Sequence, residues 1–197
     1  MTLAKAPHFQ SFEDYLAADP SELPEGRYEY WDGELIPVMS ESFENGTIAV
    51  GLLLALVAIG VPFELIKTHF CEVEVPGKPR SRFPDLVVVD ESHVLLLKKR
   101  ATITREMPPP RLLAEVVSPG NEDSDNYQRD YVVKAKQYAD LGVPEYWIVD
   151  PDRAWVLVGT LMDQAYQFQT FQGDNLILSS TFPELTLTAA QVLNAGR

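Results

Sequence analysis

The hydrophobic positions of the chain fall into short runs that predict strands and into longer stretches that predict helices. Runs rich in β-branched and aromatic residues are typical of strands, and they lie at residues 27–38, 63–69, 71–75, 86–89, 112–117, 145–150, 155–158, 166–169 and 176–178. Helical spacing is found at residues 11–18 and 125–141 and near the C-terminus. A further segment, Ile48–Ile59, is apolar on every side. Strands grouped around core helices predict an α/β fold with a mixed central β-sheet flanked by helices and additional C-terminal strands.

Turn residues divide these elements cleanly. Asp32–Gly33 separates two β-prone runs and predicts a hairpin, and Gly142 stands where a helix ending near Leu141 would have its C-terminal glycine. The apolar segment Ile48–Ile59 is shorter than the ~20 residues that a bilayer span requires, so we interpret it as a core helix and expect no membrane association. No repeat, low-complexity tract or Gly/Ser linker interrupts the chain, and residues 1–197 are expected to form a single domain.

Composition adds constraints on compartment and partner. The 197 residues include one cysteine and carry a net charge of −13. A lone cysteine excludes an internal disulfide, and the N-terminal segment lacks the apolar core of a signal peptide; we therefore expect a cytoplasmic protein. An acidic chain should repel nucleic acid as a whole, but residues 78–111 hold a local excess of Lys and Arg. This basic region is either a DNA-contacting surface or an accidental cluster on a solvated surface.

Two carboxylates occupy strands that are otherwise apolar. Asp85 follows Pro84 at the head of the run Leu86–Val89, and Glu115 lies in the middle of Leu112–Val117. Buried carboxylates are rare unless they are paired or bind a metal. One interpretation is a strand-end Asp and a Glu that faces a polar cleft. The other is a divalent-metal site for Mg²⁺ or Mn²⁺, since these ions prefer oxygen ligands.

A lysine and a third acid extend this set. Lys134 shares a helix face with aromatic and apolar residues, at steps of three and four; they are Tyr127, Tyr131, Tyr138 and Leu141. The lysine either extends along this stripe to solvent or sits beside the carboxylates, where it could orient a water molecule. Glu29, in the first hairpin, is the third acid. On these residues alone, any metal-dependent phosphate chemistry fits.

Taken together, these motifs resemble the Uma2 family of endonucleases, which belongs to the PD-(D/E)XK nuclease superfamily. The similarity covers about residues 25–151 and rests on an ordered series of short motifs. They are Tyr28–Glu29, Asp32–Gly33–Glu34, Pro84–Asp85, Glu115–Val116–Val117–Ser118–Pro119, Arg129–Asp130–Tyr131, Lys134, Tyr138, Gly142–Val143–Pro144–Glu145–Tyr146–Trp147 and Asp150–Pro151.

The resemblance implies a restriction-endonuclease-like core and a site for catalysis. Asp85 and Glu115 would be the metal-binding acids, together with the Val116 carbonyl, and Glu29 would be the upstream acid. The lysine of the E-x-K element would fall at position 117, which is Val117 here, and Lys134 matches the position from which this branch recruits its lysine. Many relatives also have a histidine near the position of Asn45.

The resulting hypothesis is a Mg²⁺-dependent DNA endonuclease that contacts DNA through residues 78–111. A homodimer is expected because cleavage of both strands of a duplex needs two sites. Two alternatives stay open at this point: a catalytically degenerate module that binds nucleic acid or protein, and a metal-dependent hydrolase of a smaller phosphate ester. The DNA specificity and the biological process are not encoded in these motifs.

Overall fold

A computed structural model of the chain describes residues 7–40, 42–98 and 100–195. The helices begin with α1 (Phe12–Ala17), which Ser11 caps by accepting a hydrogen bond from the Asp14 N–H at 3.0 Å. The further helical segments are α2 (Phe43–Ala58), α3 (His93–Leu96), α4 (Asp125–Tyr127), a π-helical segment (Gln128–Val133), α5 (Lys134–Leu141) and α6 (Ala189–Leu193). Short 3₁₀ turns lie at Pro20–Glu22 and Phe63–Leu65.

Eleven strands among the described residues form three sheets. The strands are β1 (Tyr28–Trp31), β2 (Glu34–Pro37), β3 (Ile66–Thr68), β4 (Glu72–Glu74), β5 (Ser81–Arg82), β6 (Leu86–Val88), β7 (Thr102–Ile103), β8 (Leu112–Val116), β9 (Glu145–Asp150), β10 (Trp155–Met162) and β11 (Ala165–Gln172). The central sheet has the order β11-β10-β9-β8-β6-β3. Only β8 and β9 pair in parallel within it, so the predicted mixed sheet flanked by helices is confirmed.

Two smaller sheets accompany the central sheet. β1 and β2 form the predicted hairpin, with positive φ angles at Asp32 (47°) and Gly33 (92°). Consecutive positive φ angles are the geometry of the type I′ turn, whose twist matches that of the flanking strands. The third sheet has the order β5-β4-β7.

Each face of the central sheet is buried under a different layer. Alternate residues of one strand point to opposite faces. In β6, Val88 belongs to the same apolar cluster as Leu52 of α2, whereas Val87 belongs to the same cluster as Tyr138 of α5. The α6 helix belongs to the α2 layer, and the β5-β4-β7 sheet belongs to the α5 layer through Val73 of β4. Burial on both faces explains why the central strands are almost continuously apolar.

Three sequence predictions need correction. Residues 63–65 form a 3₁₀ turn, so the strand predicted from residue 63 begins only at Ile66. Residues 176–178 form no strand; Leu176 makes a single bridge with Thr188, and the alternation there reflects the burial of Ile177 alone. Helix α2 is buried along one side only, with Phe43 92% and Leu54 61% exposed.

No helix in the described ranges is long and apolar enough to cross a membrane.

Candidate active site

The register of the central sheet brings the two predicted metal-binding acids to the same level. β6 and β8 are antiparallel, with Leu86 opposite Ala114, so Asp85, just before β6, comes level with Glu115 in β8. Both side chains are buried. The N–H of Val116 donates a hydrogen bond to Asp85 Oδ2 at 2.7 Å, which ties the first acid to the strand that carries the second.

Glu115 is held by two groups from the helix that covers its face of the sheet. The Tyr138 hydroxyl donates to Glu115 Oε1 at 2.8 Å, and Lys134 Nζ lies 2.8 Å from Glu115 Oε2. Lys134 is only 7% exposed. The alternative interpretation, in which the lysine extends along the helix stripe to solvent, is therefore wrong. The lysine also pairs with Asp130 Oδ1 at 2.8 Å, and the ammonium therefore bridges two buried carboxylates.

Glu29 reaches the same region from the first hairpin. Both of its carboxylate oxygens accept hydrogen bonds from Arg82 Nη1 at 3.0 Å. Arg82 is buried, and its Nε donates to Gln137 Oε1 of α5 at 2.9 Å. The hairpin acid is thus fixed to the same helix that carries Lys134.

These side chains surround one cleft of about 410 Å³. All four residues predicted from the sequence line it, as does Val116; the four are Glu29, Asp85, Glu115 and Lys134. The Val116 carbonyl accepts a hydrogen bond from Asn45 Nδ2 at 3.0 Å, so Asn45 contacts the predicted backbone ligand.

A family model described as "Putative restriction endonuclease", Uma2, matches residues 12–190. The chain belongs to the Uma2 family. Its fold is also similar to a crystal structure from Anabaena variabilis ATCC 29413, described as "a putative nuclease belonging to DUF820". The TM-score is 0.66 at 18% identity, with 93% of this chain and 97% of the other covered. No curated protein matches this chain. Membership of Uma2 supports a nuclease function in general terms.

The charges of this Uma2 cleft strongly perturb one another. Burial, with smaller contributions from Asp85 and Asp130, raises the pKa of Glu115 to about 7, although Lys134 opposes the shift. Burial also acts to raise the pKa of Asp130, but Lys134 and Arg129 outweigh it and hold that pKa below its usual value. Burial acts to lower the pKa of Lys134, yet Asp130 and Glu115 together raise it. Lys134 is therefore a fixed cation at neutral pH.

Sequence reasoning missed Asp130, the third buried acid of the cleft. Asp130 precedes Lys134 by four residues, a spacing at which helix side chains meet, and this signal could have identified it. The Arg129 guanidinium makes two hydrogen bonds to the Asp130 carboxylate, at 3.1 and 2.9 Å. The supporting contacts of Tyr138 and Arg82 were also missed, because they depend on how separate elements pack.

Much of the basic region 78–111 is neutralised within the fold. Four of its described basic residues form ion pairs, and the pairs are Lys78–Asp32, Arg80–Glu74, Arg82–Glu29 and Arg100–Glu72. Arg111 lies over the Phe182 ring at 4.7 Å. DNA contact through this region therefore stays a prediction that depends on few exposed cations, among them Lys98 and Arg105.

The cleft offers a small set of oxygen donors for a divalent metal. In the part of the chain that the structure describes, no group of three or more His, Cys, Asp and Glu side chains could hold a metal ion. Mg²⁺, however, is commonly bound through one or two carboxylates and keeps several waters. Asp85, Glu115 and the Val116 carbonyl supply three hard oxygen donors, which fit this smaller requirement.

Proposed function

We propose that this protein is a divalent-metal-dependent endonuclease that hydrolyses phosphodiester bonds of DNA. Asp85, Glu115 and the Val116 carbonyl would hold Mg²⁺ or Mn²⁺, and Lys134 and Glu29 would complete the site. The observation that carries the proposal is the convergence of two buried carboxylates and a buried lysine in one open cleft.

The buried acids explain why a cation would be bound here. Burial, together with repulsion from Asp85 and Asp130, raises the pKa of Glu115. The four acids of this site, Glu29, Asp85, Glu115 and Asp130, outnumber the cations paired with them, which are Arg82, Arg129 and Lys134. A charge held in a low-dielectric site is costly unless it is paired or bound to a metal. A divalent cation in the cleft would polarise the phosphate and lower the pKa of a bound water.

The role of Lys134 follows from its two ion pairs. A lysine whose pKa is raised is a poor proton acceptor, so it would act as a hydrogen-bond donor and a positive charge. Lys134 Nζ would orient the attacking water beside Glu115 and stabilise negative charge that develops on the phosphate. Glu29, held by Arg82, would orient a water molecule in the same cleft.

Cleavage of supercoiled plasmid DNA tests the proposal directly. The purified protein is expected to nick the plasmid in the presence of Mg²⁺ or Mn²⁺ and to lose this activity with EDTA. Asp85→Asn and Glu115→Gln should each abolish nicking, whereas Lys136→Met is the matched control, since Lys136 is exposed and pairs with Asp140. Nicking that survives both acid substitutions would show that another site, or a contaminant, cleaves the DNA.

A binding module without activity is the second candidate. It is favoured by Val117, which is buried where the E-x-K element would have its lysine, and by the neutralised basic region. Such a module would bind DNA with an affinity that falls steeply with salt, but Asp85→Asn would leave that affinity unchanged. Cleavage of a small phosphodiester such as bis(p-nitrophenyl) phosphate, without plasmid nicking, would instead indicate a smaller substrate.

A further inference from the structure

His69 has an unusual backbone conformation next to the proposed metal site. Its φ angle is +58°, a region that residues other than glycine seldom adopt. Three hydrogen bonds surround it: the His69 N–H donates to the Asp85 carbonyl at 3.2 Å, Arg27 Nη1 donates to the His69 carbonyl at 3.1 Å, and the Phe70 N–H donates to the Thr68 carbonyl at 2.7 Å. Such conformations persist only where surrounding structure enforces them, and they cluster at functional sites.

The side chain of His69 is directed to the first acid of the cleft. Its Nδ1 lies 3.2 Å from Asp85 Oδ1, and the side chain is 25% exposed. Within the described residues, Nδ1 is buried and has no aligned hydrogen-bond partner. A buried polar atom without a partner is uncommon in a folded protein and requires a reason. The Asp85 carboxylate supplies one, because its Oδ1 lies 3.2 Å from Nδ1, within reach of an N–H on that atom.

The two oxygens of Asp85 are therefore approached from different elements. Oδ2 accepts from the Val116 N–H in β8 at 2.7 Å, and Oδ1 faces His69 in the turn after β3. His69 is not among the residues that line the cleft. Its influence on the cleft would thus pass through the orientation and charge of Asp85.

We propose that His69 is a positioning residue that holds the Asp85 carboxylate ready for a divalent cation. This inference rests on the proposed metal site. Groups that orient metal-binding side chains in this manner commonly change metal affinity by about 10- to 100-fold when they are removed. The strained turn would be retained because it is what places the imidazole against Asp85.

Two substitutions separate the imidazole from the backbone. His69→Gly removes the ring but accepts a positive φ angle without strain, and His69→Asn keeps a polar atom at the position of Nδ1 in a residue that tolerates this conformation. We expect His69→Gly to weaken Mn²⁺ binding about 10- to 100-fold by calorimetry, and His69→Asn to recover most of the lost affinity. The thermal unfolding midpoint of the metal-free protein should change little in either variant.

Two controls make the result decisive. Gln164→Gly makes the same backbone change at a positive φ of 70°, in the turn between β10 and β11, and should leave Mn²⁺ binding unchanged. Asp85→Asn should abolish binding. Wild-type affinity in His69→Gly would overturn the inference, as would an equal loss in both His69 variants accompanied by a lower unfolding midpoint. If the wild-type protein binds no Mn²⁺, the proposed metal site itself fails.

Discussion

Replacement of Lys134 by Met tests both the stability and the chemistry of the cleft. Methionine is close to lysine in length and keeps the packing of the buried stem, but it removes the ammonium that lies 2.8 Å from both Glu115 and Asp130. Asp130 retains its contacts with Arg129. Among the described residues, Glu115 retains the hydrogen bond from the Tyr138 hydroxyl.

The size of the effect follows from the burial of these groups. Removal of one partner from a buried ion pair costs about 3–5 kcal/mol, because the remaining charge has no compensation. Glu115 can limit this cost by taking up a proton, since its pKa is already about 7 with Lys134 present. We therefore expect a loss of about 3 kcal/mol near pH 7, less at pH 5 and more at pH 8.5. Such a loss is smaller than the 5–15 kcal/mol stability of a typical domain.

Urea unfolding of four proteins measures this loss. The proteins are the wild type, Lys134→Met, Glu115→Gln and the double variant. Because the double variant buries no unpaired carboxylate at position 115, it should be about 1–3 kcal/mol more stable than the sum of the single effects predicts. In the plasmid assay, Lys134→Met should slow cleavage about 100-fold or more, as expected for loss of one preorganised electrostatic group.

Lys136→Met is the matched control for both measurements. Lys136 lies two residues further along the helix, its side chain is 74% exposed, and it pairs with Asp140; an exposed pair of this kind contributes about 0.5 kcal/mol or less. Equal stability and equal cleavage rates for the two methionine variants would refute the reasoning, because they would mean that the ammonium of Lys134 does nothing in the cleft.

Two further predictions concern Glu115 and Arg82. Burial raises the pKa of Glu115 from its ordinary value of 4.5 to about 7 in the folded protein. The unfolding free energy of the metal-free protein should therefore fall as the pH rises between these two values. Glu115→Gln should remove this slope, and an unchanged slope would exclude Glu115 as its source. Arg82→Met removes the two hydrogen bonds that Glu29 accepts, and it should lower the free energy of unfolding by about 2–3 kcal/mol. If the variant instead keeps full stability and changes the salt dependence of DNA binding, Arg82 contacts phosphate rather than holding Glu29.

Much of the fold could be predicted from periodicity because the central sheet is buried on both faces. The apolar runs around Val87, Leu113 and Ile148 have no other stable place than the middle of such a sheet. The strand predicted at residues 176–178 was wrong because a single buried residue determines the hydrophobic alternation there. Ile177 is buried within an irregular segment that makes only an isolated bridge, between Leu176 and Thr188, among the described residues, so alternation around it resembles a strand although no sheet forms there. The exposed side of α2 could not be read from a sequence that is apolar all round.

The site residues could be singled out for a related reason. Asp85 and Glu115 were conspicuous because a charge is rare within an apolar strand. Arg82 carried no such signal, since a charged residue in a mixed segment is most often exposed, and Asp130 carried only its four-residue spacing from Lys134. Their burial depends on contacts between distant elements, such as Arg82 with Glu29 and Gln137. Pattern can identify a charge that must be buried, but it cannot identify one that becomes buried through a partner.

The arrangement of charges in the cleft connects these observations with the proposed chemistry. Asp130 is compensated twice, by Lys134 and by Arg129, and Glu29 is compensated by Arg82. Glu115 has the second contact of Lys134, and Asp85 faces the imidazole of His69. The acids not proposed as metal ligands therefore have more cationic partners, whereas the two acids proposed to bind the metal keep a negative excess. A divalent cation would remove this excess without a further side chain, and protonation of Glu115, which its raised pKa favours, would partly replace the cation in the metal-free protein.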